Sequence, residues 1–187
     1  MHTIIIKKLD IWYYYVGYWK GLHMYSVGEY IVHPGQGVCQ VEAIVEEPIA
    51  VYHLMPIGQR HPMRITYPVA GADKLRPVLS RQEAQALIDG YPEMEPDPYH
   101  ERSNALEEAY FKREIRNGTC EDSMRIVKTF RLRIEETRAN NRKPPVIYER
   151  ILKQASQRSL EELSVALDMS PEDVRMLFES KYDDIKN

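Results

Sequence analysis

The sequence predicts an α+β chain: a small β-barrel or strongly bent sheet, followed by an all-α helical bundle. Three observations carry this. Between Met24 and Leu79 apolar residues alternate in short segments punctuated by Pro and Gly, which is strand and turn patterning. Beyond residue 99 apolar residues recur at helical spacing instead. Between them lies an acidic stretch, 92–98, whose Pro92, Pro96 and Pro98 cannot continue a helix. The expected organisation is an N-terminal extension over 1–23, a first domain over 24–91, a linker over 92–98 and a helical domain over 99–187.

Composition bounds the function classes. The chain has 187 residues, 43% hydrophobic and 28% charged, so it can bury a core and is not a disordered tail. A net charge of -3 argues against a histone-like protein held to nucleic acid by bulk charge. Cys39 and Cys120 form neither a disulfide framework nor a metal-ligand spacing, and a reducing cytoplasm is expected. The most apolar stretch, 4–19, is interrupted by Lys7, Lys8 and Asp10 and falls short of the ~20 residues of a spanning helix, so no membrane partner is expected. It lacks a signal-like cleavage site and reads as an extra strand, or as a leader upstream of a second start at Met24.

In the first half, strands are expected over 30–33, 38–45, 50–55 and 64–68, with Pro34-Gly35 and Gly37 forcing a turn between the first two. His33, His53 and His61 are spread over different segments without a carboxylate at ligand spacing, so no metal site is expected. Gly35-Gln36-Gly37 lacks the Lys-Ser or Lys-Thr of a phosphate loop and reads as a hairpin turn. Cys39 reads as a small unreactive residue with no basic partner near it. Ser80 and Glu83 have capping-box spacing and open a short helix over 84–89, closed by Gly90.

In the second half, Leu106, Ala109, Tyr110 and Ile115 mark a helix within 99–116, with Asn117-Gly118 as a left-handed stop. Thr119 caps a second helix striped by Met124, Val127, Phe130 and Ile134. Pro144-Pro145 resets the chain before a third helix carrying Ile147, Ile151, Leu152 and Ala155. Ser159 caps a fourth with Leu163 and Leu167, and Ser170-Pro171 starts the last, with Val174, Leu177 and Phe178. The segment 159–175 also fits a helix-turn-helix, but Glu172 and Asp173 at the would-be recognition end repel phosphates, so it is read as bundle packing.

Charge separates the parts. Residues 112–143 hold ten Lys and Arg against five Asp and Glu, a local excess of +5 between acidic flanks. Such an excess attracts a duplex backbone by counterion release, although a solvated helix face with intrahelical pairs produces the same composition. No nucleophile and base at a recognisable spacing is present, so no enzyme is expected.

The run Tyr25-Ser-Val-Gly-Glu-Tyr-Ile-Val-His-Pro-Gly-Gln-Gly-Val-Cys-Gln-Val-Glu-Ala-Ile44 resembles the opening of the CarD family of bacterial transcription regulators. The RNA polymerase-interacting domain of that family is also found in the transcription-repair coupling factor. The resemblance continues through Tyr52-His-Leu-Met55, Ile65-Thr-Tyr-Pro-Val69 and Leu75-Arg-Pro-Val-Leu-Ser80. In the second half it covers 110–118, Tyr148-Glu-Arg-Ile-Leu-Lys-Gln-Ala155 and Leu160-Glu-Glu-Leu163.

The resemblance implies a Tudor-like barrel that binds the β subunit of RNA polymerase, and a helical domain that contacts promoter DNA beside the transcription bubble. It implies a nucleoid-associated cytoplasmic regulator that shifts open-complex stability without cofactor or small-molecule substrate. The polymerase-binding residues would be Arg64, Thr66, Tyr67 and Pro68. Thr66 stands where some members carry Arg, which leaves Arg64 as the candidate basic contact. The DNA-binding residues would be Tyr99, Arg102, Asn104, Lys112, Arg113, Arg116, Arg125 and Lys128. Some members wedge a Trp beside the melted bases; here Asn104 falls near that position and both Trp residues lie before residue 20, so either Tyr99 substitutes or the wedge is lost. The alternative is a polymerase-binding adaptor with no DNA contact.

Overall fold

The computed structural model describes residues 25–46 and 48–183; the extra strand or leader expected before Met24 lies outside the described residues. Five short strands form one antiparallel sheet: β1 (Tyr30–His33), β2 (Gly37–Val45), β3 (Val51–Pro56), β4 (Ile65–Pro68) and β5 (Arg76–Pro77), in the order β4-β3-β2-β1-β5. The prolines follow the hydrogen-bonding rule for sheets. Pro68 and Pro77 sit on the two edge strands and Pro56 at a strand end, where a missing N–H costs no central ladder bond.

The inner face holds Tyr25, Ile31, Cys39, Val41, Tyr52, Leu54, Val69 and Leu75 as one core. The Tyr25 N–H donates to Tyr52 Oη at 3.2 Å and its hydroxyl donates to the Leu75 carbonyl at 3.1 Å, tying the start of the unit to its last strand. The sheet is strongly curled. The Tyr67 ring of β4 meets the His33 ring of β1 edge-on at 5.1 Å. A flat sheet would hold strands three places apart by about 14 Å. Yet β4 and β5 pair only with β3 and β1, so the expected barrel is not closed by hydrogen bonding.

Five helices follow: α1 (Arg81–Asp89), α2 (Asn104–Asn117), α3 (Cys120–Ala139), α4 (Val146–Leu167) and α5 (Pro171–Asp183). The capping box at Ser80/Glu83 starts α1 as its spacing predicts, and the expected cap Thr119 starts α3, there completing a capping box with Asp122. Gly118 corrects the expected left-handed stop: its φ is -79°, and glycine is needed because a Cβ would stand 2.6 Å from the Glu114 carbonyl oxygen. The third and fourth expected helices are one continuous helix, α4. Ser159 does not cap it; the hydroxyl is buried mid-helix and donates back to the Ala155 carbonyl at 3.1 Å.

Phe111, Met124, Phe130, Ile151, Leu163, Val174 and Phe178 centre the helical core. Ala84, Ile88 and Tyr91 join it, so α1, expected to close the first domain, packs with the helices. The Pro-rich stretch is strapped along α3. The Asp97 N–H donates to Thr129 Oγ1 at 2.7 Å, and Lys128 Nζ donates to the carbonyls of Tyr91 at 3.1 Å and Pro92 at 2.7 Å.

Sheet and helices meet at a polar seam. Arg76 of β5 grips Glu162 of α4 through both carboxylate oxygens, at 2.5 and 2.7 Å. The Glu162 side chain is 2% exposed and that of Arg76 32%. This asymmetry decides which partner is costlier to lose. Arg76→Met leaves a buried carboxylate without its cation and should cost about 3–5 kcal/mol. Glu162→Gln leaves an arginine that water can reach and should cost about 1–3 kcal/mol. Urea denaturation of the two variants checks the order, and a reversed order would remove the pair from its central place.

Candidate functional site

Two surfaces stand out, with the seam between them. The first is the β4 edge. Ile65 and Tyr67 turn inward while Thr66 and Pro68 are exposed, the alternation a pleated strand imposes. Tyr67, expected at the polymerase contact, spends its side chain internally: the hydroxyl donates to the Gly71 carbonyl at 2.9 Å and the ring packs on His33. Arg64 lies just before β4, its side chain 56% exposed, and its Nε donates to Glu42 at 2.8 Å. Glu42 falls where the β2–β3 register slips between Val41 and Ala43. The outer side of β4 has no partner strand among the described residues, so its outward backbone groups are open to one.

The second surface is basic. A cleft of about 530 Å³ is lined by Lys112, Arg113, Arg116, Ala109 and Asn117 of α2 and by Pro34 from the β1–β2 turn. Lys112 pairs with Glu108 at 2.8 Å, and Arg113 pairs with Glu114 at 3.0 Å and lies 5.3 Å from the Tyr110 ring centre. Arg116 has no ion-pair partner among the described residues and is exposed. Asn104 opens α2 behind its Ser103 cap, and both it and Arg102 are exposed. Tyr99 is half-buried and stacked on Tyr110 at 3.6 Å between ring centres, so its ring is held in the fold. Arg125 lies on α3, tied to Glu121 at 2.8 Å and Asp122 at 3.6 Å.

Lys128 is a correction. It was expected among the DNA contacts, but its carbonyl partners and its burial to 6% exposure leave it no phosphate to reach. Arg133, counted in the same basic excess, also faces inward. It pairs with the buried Glu107 at 2.9 Å and donates to the Tyr99 carbonyl, while His100 reaches the same carboxylate at 2.9 Å.

The seam was missed by sequence reading. Below Arg76 and Glu162, Arg158 of α4 donates to the His33 carbonyl at 3.3 Å, and the Gly35 N–H donates to the Arg116 carbonyl at 3.4 Å. A Cβ at Gly37 would stand 2.5 Å from Arg158 Nη1, and one at Gly58 2.4 Å from Glu161 Oε1. Their φ values of +91° and +73° independently favour glycine. The hairpin glycines are thus also a cradle for helical side chains. Cys39, read as lacking a basic partner, feels Arg158, yet burial dominates and pushes its thiol up to about 11. Burial also raises the Cys120 thiol.

Among the described residues, no group of three or more His, Cys, Asp or Glu is placed to hold a metal ion. No helix there is long and apolar enough to cross a membrane. An open sheet edge on one unit and a basic cleft bordering the next are surfaces for docking, which puts the sheet unit in the class of interaction modules. Residues 25–79 match the family model of the CarD-like/TRCF RID domain, and this segment is a CarD-like RNA polymerase-interacting domain. The match starts at Tyr25, which ties the sheet together, and ends at Leu79, whose N–H donates to Glu162 at 3.4 Å. No curated protein matches the chain.

The seam gives the fold a pH dependence. Burial, with Arg158 and Arg116 adding to it, lowers the His33 pKa below its ordinary 6.5. The folded chain therefore binds this proton less readily than the unfolded chain. Its contribution is complete above about pH 6.5 and is lost as pH falls below that. Glu161, raised above 4.5 by burial, acts with the opposite sign on acidification. Between pH 7 and 5 the wild-type chain should lose more unfolding free energy than His33→Gln; equal losses would take His33 out of the response. Lys128→Met removes the cation that holds the Tyr91 and Pro92 carbonyls and should lower stability by about 1–3 kcal/mol, which thermal melts check.

Proposed function

We propose that the chain is a transcription regulator that docks on the β subunit of bacterial RNA polymerase through the β4 edge and contacts promoter DNA through the basic face of α2. The observation that carries this reading is the RID match lying on a sheet whose β4 edge is open, with the exposed Arg64 just before it. Arg64, Thr66 and Pro68 point outward there, and a partner strand added to β4 would satisfy its free backbone groups. The strong curl of the sheet supports a Tudor-like reading of the unit. Contact to the phosphate backbone would fall to Lys112, Arg113 and Arg116, with Arg102 and Asn104 at the other end of α2. A protein that binds the open promoter complex better than the closed one shifts the population towards it, with no covalent step. The cytoplasm, at the nucleoid, is where such a protein would work.

A second reading, an adaptor that docks on polymerase without touching DNA, is favoured by one observation. Lys128 and Arg133 face inward, and Lys112, Arg113 and Arg125 already have carboxylate partners.

Polymerase docking is tested by titrating the full chain against the β-subunit lobe. Arg64→Glu should weaken binding about tenfold, equivalent to about 1.4 kcal/mol. No binding by the intact chain would refute the proposal. Lobe binding without salt-dependent duplex binding would select the adaptor.

A further inference from the structure

We infer that the basic cleft is a phosphate site assembled across the seam: docking of the β1–β2 turn holds Arg116 in place, so duplex affinity depends on Arg158, which lines no part of the cleft. The inference rests on the duplex-binding reading above and deepens it.

Arg116 lies in the last turn of α2, exposed, where a long side chain ordinarily samples many rotamers. Here the sheet unit restrains it. The Gly35 N–H donates to its carbonyl at 3.4 Å, and its side chain lies so close along Gly35 that a Cβ there would stand 2.8 Å from Nε. On the other side of the turn, Arg158 donates to the His33 carbonyl at 3.3 Å. The turn is thus clamped between two arginines, one facing the cleft and one closing the seam. Pro34, between those anchors, supplies the cleft wall opposite Lys112 and Arg113.

A guanidinium ordered during folding does not have to be ordered again when a phosphate arrives, which raises affinity without adding a contact. The ligand class is the phosphodiester backbone of a duplex. The cleft is open, its cationic side chains can follow a chain of phosphates, and no base-reading geometry is needed. Gly35 and Arg158 are then positioning residues, and Arg116 is the contact.

The test is anisotropy titration of the full chain with a short labelled duplex over a series of salt concentrations, with circular dichroism confirming the fold of each variant. Arg116→Gln should weaken binding and flatten the logarithmic salt slope by about one, the value of one phosphate contact. Arg158→Met should do the same, Arg158→Lys should restore binding, and Arg158→Met added to Arg116→Gln should change nothing further. Gly35→Ala removes no charge, displaces Arg116 and strains a turn whose φ at this residue is +86°, so it should undo the same clamp and weaken binding too; it serves, where circular dichroism shows it folded, if Arg158→Met does not fold.

If folded Arg158→Met and Gly35→Ala bind with wild-type affinity and slope while Arg116→Gln does not, the inference falls and the duplex reading stands. If the losses from Arg158→Met and Arg116→Gln simply add, Arg158 acts by its own charge and the inference falls as well. If the wild-type chain shows no salt-dependent duplex binding, the duplex reading fails and takes the inference with it.

Discussion

The arrangement of the two units depends on the ion pair between Arg76 and Glu162. Arg76 belongs to a strand of two residues that pairs only with β1, too short to hold its place by backbone bonds alone. Anchoring it fixes Leu75, whose carbonyl receives the Tyr25 hydroxyl, and Leu79, whose N–H shares the Glu162 carboxylate. The residue after Leu79 is the cap of α1. One buried carboxylate is therefore bonded both to the end of the sheet and to the residue before the cap of α1. Desolvating such a pair offsets much of its attraction, so its main effect is to specify one arrangement. An apolar patch would permit sliding; a two-pronged contact does not.

The charge of the helical half divides by direction. Lys128 and Arg133 are strapping residues, holding the stretch from Tyr91 to Tyr99 against α3 through its carbonyls. Lys112, Arg113 and Arg116 face water beside the β1–β2 turn. A run of basic residues in sequence thus serves two purposes, and burial alone tells them apart.

Much of the local structure is legible from residue order. Strands expected over 30–33, 38–45, 50–55 and 64–68 lie within a residue of those observed, and the Ser80 capping box and the Thr119 cap both form, because turn chemistry and capping act over three or four residues. Where a neighbour distant in sequence decides, local reading fails. Ser159 has the composition of a cap, yet with no helix breaker near it the hydroxyl turns back and α4 runs on. Gly118 was read as a dihedral need and is a steric one. Curl without closure leaves no trace in strand spacing. The seam did leave one signal: Glu162 falls eleven residues after Ile151 and seven after Ala155, on the buried face of α4, where a carboxylate requires a cation from elsewhere. Nothing local names Arg76 as that cation. The RID segment was legible because its motif is dense, whereas the basic cleft needed the turn and α2 to be brought together in space.

The brevity of β4 has a kinetic consequence. Four residues ending in Pro68, which has no N–H, can offer an added strand only a few backbone hydrogen bonds, each worth about 0.5–1.5 kcal/mol net. Affinity differences between related complexes lie mostly in how fast they come apart, and so short an edge favours quick departure. It also blunts pairing between copies of the chain, since two such edges have little to offer one another. Residence on a partner would then be governed by how many separate footholds the chain keeps at once, and giving up one of them would shorten it.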